Sequence, residues 1–158
     1  MKKKLELDDQ TARSIYKIAD IATKLVLESN WGKEFFSEKL SDRIKSYVDV
    51  CKELCRPILT IKDFKFLPEN QRAKALANHQ WENISELFNQ GWKPDFTNIN
   101  QAKYYVWYER KSTGWVVCYF SDRGYYSICG SGFYFKDSET ALYVANTFLP
   151  IMTIILEP

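Results

Sequence analysis

The chain has 158 residues, with 22 Lys+Arg against 20 Asp+Glu, one histidine and four cysteines. That length can bury a core without metal or disulfide staples, and the +2 balance excludes a histone-like cation or an acidic tail. A hydrophobic share of 46% beside 27% charged residues excludes disorder as the default state.

The start, Met1-Lys2-Lys3-Lys4, has the basic charge of a signal peptide, but Leu5, Glu6, Leu7, Asp8 and Asp9 replace the apolar region that should follow. An unexported, cytoplasmic chain is therefore expected. No stretch approaches the roughly 18 apolar residues that span a bilayer. In such a compartment the cysteines are expected as small apolar residues rather than disulfides.

Over residues 8–29, Ala12, Ile15, Ile18, Ala19, Ala22, Leu25 and Val26 recur at three- and four-residue steps. They predict one helix, capped by Asp8 or Asp9. A second stripe at Phe36, Leu40, Ile44, Tyr47, Val48, Cys51 and Cys55 is stopped by Pro57. The two together predict an antiparallel hairpin over 8–56 that could form an arm. A third helix should start near Pro68, bury Ala73, Leu76, Ala77, Trp81, Ile84, Leu87 and Phe88, and end at Gly91.

After Gln101 the period changes to two. Strands are expected at 103–111, 115–121, 125–129 and 133–135, joined by turns at 112–114, 122–124 and 130–132. A last helix, capped by Asp137 or Ser138, should be bent or ended by Pro150. The expectation is a single α+β domain over 1–158, with a helix, four-stranded antiparallel meander and closing helix over 68–156.

The chain holds five tryptophans, ten tyrosines and ten phenylalanines, and 14 of these aromatics fall between Trp92 and Phe135. Three-residue turns would pair 111 with 115 and 121 with 125. Val106, Tyr108, Val116, Cys118, Phe120, Tyr126 and Ile128 would then share one face, and Tyr105, Trp107, Glu109, Trp115, Val117, Tyr119, Ser121, Tyr125 and Ser127 the other. The second face suits a docking or stacking platform, because tyrosine and tryptophan bury apolar area while keeping a polar tip. The competing expectation is that the N-terminal hairpin covers it as a second core. Its proposed contacts are Tyr105, Trp107, Trp115, Tyr119 and Tyr125, with Arg110 and Lys111 at the edge.

Lys93, Lys103, Arg110, Lys111 and Arg123 face Asp95, Glu109 and Asp122 in this region, too few net cations for a dedicated phosphate binder. Catalysis finds little support. His79 is the sole histidine, which excludes histidine-clustered zinc motifs, and Gly130-Ser131-Gly132 lacks the lysine and helix of a phosphate loop. No catalytic residue, metal or cofactor is expected.

Asn89-Gln90-Gly91-Trp92, Pro94-Asp95, the run Lys103-Tyr104-Tyr105 with Trp107-Tyr108, Gly130-Ser131, Phe135-Lys136 and the helix bearing Glu139, Ala141, Tyr143 and Phe148 form a distinctive set. Over residues 89–149 it resembles small uncharacterised phage and prophage proteins of Bacteroides-type bacteria, which carry an NQGW-x-PD segment and a KYYPWF strand. Val106 stands where that group usually has proline, which makes a regular strand easier here. The resemblance implies a mobile-element origin and the cytoplasm of a bacterial host, and it brings no catalytic residue. The resulting expectation is a non-enzymatic protein that engages a host protein or ribonucleoprotein, a defence system among them. The alternatives are single-stranded RNA or DNA binding on the aromatic face, and a virion or assembly role.

Overall fold

The computed structural model describes residues 7–121 and 133–158, with backbone alone for 119–121. The fold is α+β, and its residues cluster into two compact units, Met1–Arg43 and Ile44–Pro158. The boundary falls inside the predicted second helix.

The first unit holds α1 (Asp9–Ile18), α2 (Ile21–Trp31), α3 (Lys33–Ser37) and α4 (Leu40–Arg43). The single helix predicted over 8–29 is two, because Asp20 accepts a hydrogen bond from the Thr23 amide and caps a new start. Aromatic packing holds the helices together: Tyr16 stacks on Phe36 with centroids 4.1 Å apart. Arg13 lies 3.7 Å over the Phe35 ring and pairs with Glu38 at 2.8 Å. The expected buried stripe is largely outside. Ala12 and Leu27 are buried, whereas Ile18, Ile21, Leu25 and Val26 are exposed.

In the second unit α5 (Tyr47–Glu53) starts at a capping box in which Ser46 and Asp49 satisfy each other's amides. That start breaks the predicted second helix. Cys51 is buried as expected, while Cys55 is exposed and takes a positive φ of 53° beyond the helix end. A 3-10 turn, Ile61–Phe64, lies between α5 and the next long helix.

The long α6 (Glu69–Asn89) matches its prediction closely and buries Ala77, Trp81, Ile84, Leu87 and Phe88. Gln90 and Gly91 both take positive φ, at 49° and 85°. This left-handed pair turns the chain back, so that the Trp92 amide donates to the Asn89 carbonyl at 2.9 Å.

The sheet is two-stranded among the described residues, not four: β1 (Tyr105–Lys111) pairs antiparallel with β2 (Gly114–Ser121). The predicted strand at 125–129 lies outside the described residues. The one at 133–135 reduces to a single bridge between Tyr104 and Phe135. There the Tyr134 carbonyl accepts from Asn89 of α6 rather than from a neighbouring strand.

Register holds at one end of the hairpin and fails at the other. Trp107 pairs with Tyr119 and Tyr105 with Ser121 as predicted, but Lys111 pairs with Gly114 and Arg110 with Trp115. The turn has two residues instead of three, because Gly114 closes the ladder at φ 122°. Cys118 takes up the difference as a bulge between Trp107 and Tyr108. Trp115 and Val117 thereby leave the face predicted for them and sit opposite Arg110 and Tyr108.

The expected closing helix is two, α7 (Ser138–Thr147) and α8 (Leu149–Leu156), bent by 78°. Asp137 caps the first and Pro150 opens the second. No single described helix is long and apolar enough to cross a membrane.

Candidate functional site

Three of the five aromatic residues singled out from sequence, Tyr105, Trp107 and Trp115, line a cleft of about 390 Å³ in the second unit. β1 contributes four consecutive residues, Tyr105 to Tyr108, and β2 contributes Trp115. Met152, Ile155 and Leu156 of α8 form the opposite wall, and Trp81, Phe133 and Phe135 close the inner end. Among the described residues every lining side chain is aliphatic, aromatic or a methionine. The size falls in the roughly 300–1,000 Å³ range of ligand pockets.

The predicted contacts are not equivalent. Tyr105 is 7% exposed and packs edge-on against Tyr134, with centroids 5.3 Å apart, so it forms the floor rather than the surface. Trp107, 39% exposed, stands at the lip 5.7 Å from the Tyr105 ring. Trp115 is half-buried, and its indole N–H donates to Glu157 Oε1 at 3.2 Å. For Tyr119 only the backbone is described, paired with Trp107, and Tyr125 lies outside the described residues.

The edge cations are already neutralised. Arg110 pairs with Glu157 and lies 5.6 Å over the Trp115 ring. Lys111 pairs with Glu109 at 3.5 Å. Lys103, counted from sequence among the cations of this region, is 1% exposed. Its ammonium donates to the Asn98 and Gln101 carbonyls, each at 2.9 Å, and pins the loop that precedes β1. In the same loop Asp95 accepts from the hydroxyl and amide of Thr97, which hold its carboxyl below the usual value of 3.8.

Sequence reasoning missed the α8 wall, because an apolar helix of eight residues reads as core from its composition alone. It also missed a polar seam between α5 and α6. Asn83 accepts from Arg56 and donates to the Tyr47 hydroxyl at 2.7 Å, while Arg56 makes a two-pronged pair with Glu86. Burial, with Cys51 beside it, pushes the Tyr47 phenol up to about 12. His79 Nε2 lies 3.3 Å from Asn83 Nδ2, which ties the sole histidine into this seam. Among the described residues no three His, Cys, Asp or Glu are grouped to hold a metal ion.

No protein-family model, curated protein or solved structure matches this chain.

Proposed function

We propose that this chain is a non-enzymatic binding protein that seats an aromatic or branched aliphatic side chain of a partner protein in the cleft between β1 and α8. The observation that carries this reading is the lining. A largely apolar, aromatic cleft with a tryptophan at its lip has the composition of a hot-spot pocket, where a buried anchor supplies most of the affinity. Among the described residues, the phenols of Tyr105 and Tyr108 are the only titratable groups in its lining. Following the resemblance of residues 89–149 to phage and prophage proteins, we propose that the partner is a bacterial host protein or ribonucleoprotein, with inhibition of a defence complex as the biological outcome.

Two observations favour protein over nucleic acid as the partner. Arg110 and Lys111 are each paired with a carboxylate, and Lys103 is spent inside its loop. Phosphate recognition needs cations free to displace counterions. The assembly reading draws on a different feature, the exposed Ile18, Ile21, Leu25 and Val26 of the first unit. Light scattering across a dilution series, with Leu25→Glu as control, tests it.

The main reading is tested by affinity capture from a bacterial host, comparing the wild-type chain, Trp107→Ala and Phe66→Ala. Phe66 is 79% exposed and does not line the cleft. A partner lost with Trp107→Ala and kept with Phe66→Ala supports the cleft; an unchanged partner set for Trp107→Ala rejects it. Titration with single-stranded RNA and DNA at two salt concentrations decides the alternative, and salt-dependent binding abolished by Trp107→Ala would transfer the site to nucleic acid.

A further inference from the structure

A second cavity, of about 470 Å³, lies against the polar side of α6. Its floor is one helical stripe, Asn78, Trp81, Glu82, Ser85, Glu86 and Asn89, spaced by three and four residues. Its walls are Phe133 and the segment Gly91, Trp92, Lys93. The left-handed pair Gln90-Gly91 produces this shape, since it folds Trp92 back beside the last turn of α6. Nothing in the proposed function uses this segment, although it is the most distinctive part of the sequence.

The cavity combines aromatic surface with an excess of hydrogen-bond acceptors. Trp81 and Phe133 stack with centroids 5.8 Å apart and an interplanar angle of 25°, and Trp92 supplies a third ring. Two carboxylates, Glu82 and Glu86, face one ammonium, Lys93. Glu86 is held on both oxygens by Arg56, so Glu82 is the carboxylate left to an incoming group. Asn89 is 7% exposed and donates from Nδ2 to Ser85 Oγ at 3.3 Å and to the Tyr134 carbonyl at 2.8 Å. Its Oδ1 is buried with no hydrogen-bond partner among the described residues. A donor that reached it would satisfy an acceptor the described residues leave unpaired.

We propose that this cavity binds the guanidinium of an arginine side chain on a partner protein. A guanidinium is planar, carries five donors and no acceptor, and is weakly enough hydrated to stack on aromatic faces. It matches a carboxylate in a two-pronged geometry. An ammonium lacks the flat face, and a neutral ligand forgoes the charge-assisted bond to Glu82. This site shares Trp81 and Phe133 with the apolar cleft, but its polar groups are its own, and it stands whether or not that cleft binds a partner.

The test is an NMR titration of the full chain with acetyl-Gly-Arg-Gly-amide, following the Trp92 indole N–H. Trp92→Phe is used only to assign that resonance. Saturable movement is expected in the millimolar range of a single side-chain contact. The isosteric citrulline peptide should bind about tenfold more weakly or worse, and Glu82→Gln should weaken the arginine peptide several-fold with circular dichroism unchanged. Equal binding of the citrulline or lysine peptide overturns the guanidinium assignment. A Trp92 indole that does not move with the arginine peptide overturns the site.

Discussion

Trp81 and Phe133 face two cavities, one largely apolar and one rich in carboxylate and amide oxygen. The difference comes from what stands opposite the shared rings. On one side α8 supplies Met152, Ile155 and Leu156. On the other, α6 supplies Glu82, Ser85, Glu86 and Asn89 from the stripe next to its buried one. Aromatic rings by themselves select little, because their faces accept apolar groups and cations alike. Their neighbours decide which ligand gains free energy by entering.

Removing the common wall should have the largest effect. Trp81→Ala is expected to cost about 3–5 kcal/mol in urea unfolding and to abolish ligand effects on both sides. A loss below about 1 kcal/mol would show that the two cavities do not depend on this ring. Lys103→Met comes next. It strips two loop carbonyls of their donor, costs about 1–3 kcal/mol by the same measurement, and should disturb Trp92 more than Trp115. Equal disturbance of both indoles would mean that the loop supports the whole unit.

The acid limb sharpens the comparison further. The Asp95 carboxyl is held below its usual value of 3.8 by Thr97, so its contribution is present above that pH and lost as pH falls through the folded value. Below about pH 4 the Trp92 indole should therefore shift before that of Trp107, with Asp95→Asn removing the difference. The alkaline limb reports on the polar seam. The Tyr47 phenol is raised from 10 to about 12, so its contribution is intact below pH 10 and disappears as pH rises toward 12. Ultraviolet titration of the ten tyrosines should show a late phenol that Tyr47→Phe deletes. The smallest effect belongs to the exposed Arg110–Glu157 pair, where Arg110→Gln should cost no more than about 1 kcal/mol and leave both cavities intact.

Much of the second unit was legible in the sequence. α6 announced itself through a run of apolar steps bounded by Pro68 and Gly91, and Asp137 marked the start of α7. The breaks at Asp20 and Ser46 went unseen because an apolar stripe can run past a cap that restarts the helix. Both caps carry local signals, Asp20 with Thr23 and Ser46 with Asp49, which the longer periodicity masked. The aromatic residues were legible as a cluster, but turn length set their register. One residue fewer in the turn moved Trp115 opposite Arg110. The polar cavity was not legible, since Asn78, Glu82 and Glu86 on a helix look like a solvated face until the chain after Gly91 folds back over them.

The bulge at Cys118 has a consequence for insertion and deletion. Seven residue pairs define the hairpin, and Cys118 belongs to none of them. A variant lacking Cys118 would keep every pair and lose only the local kink. Removing Val117 would be equivalent in register, with Cys118 taking its place opposite Tyr108. The bulge is thus a place in β2 where the chain can lose one residue without changing the pairing of the rest of the hairpin.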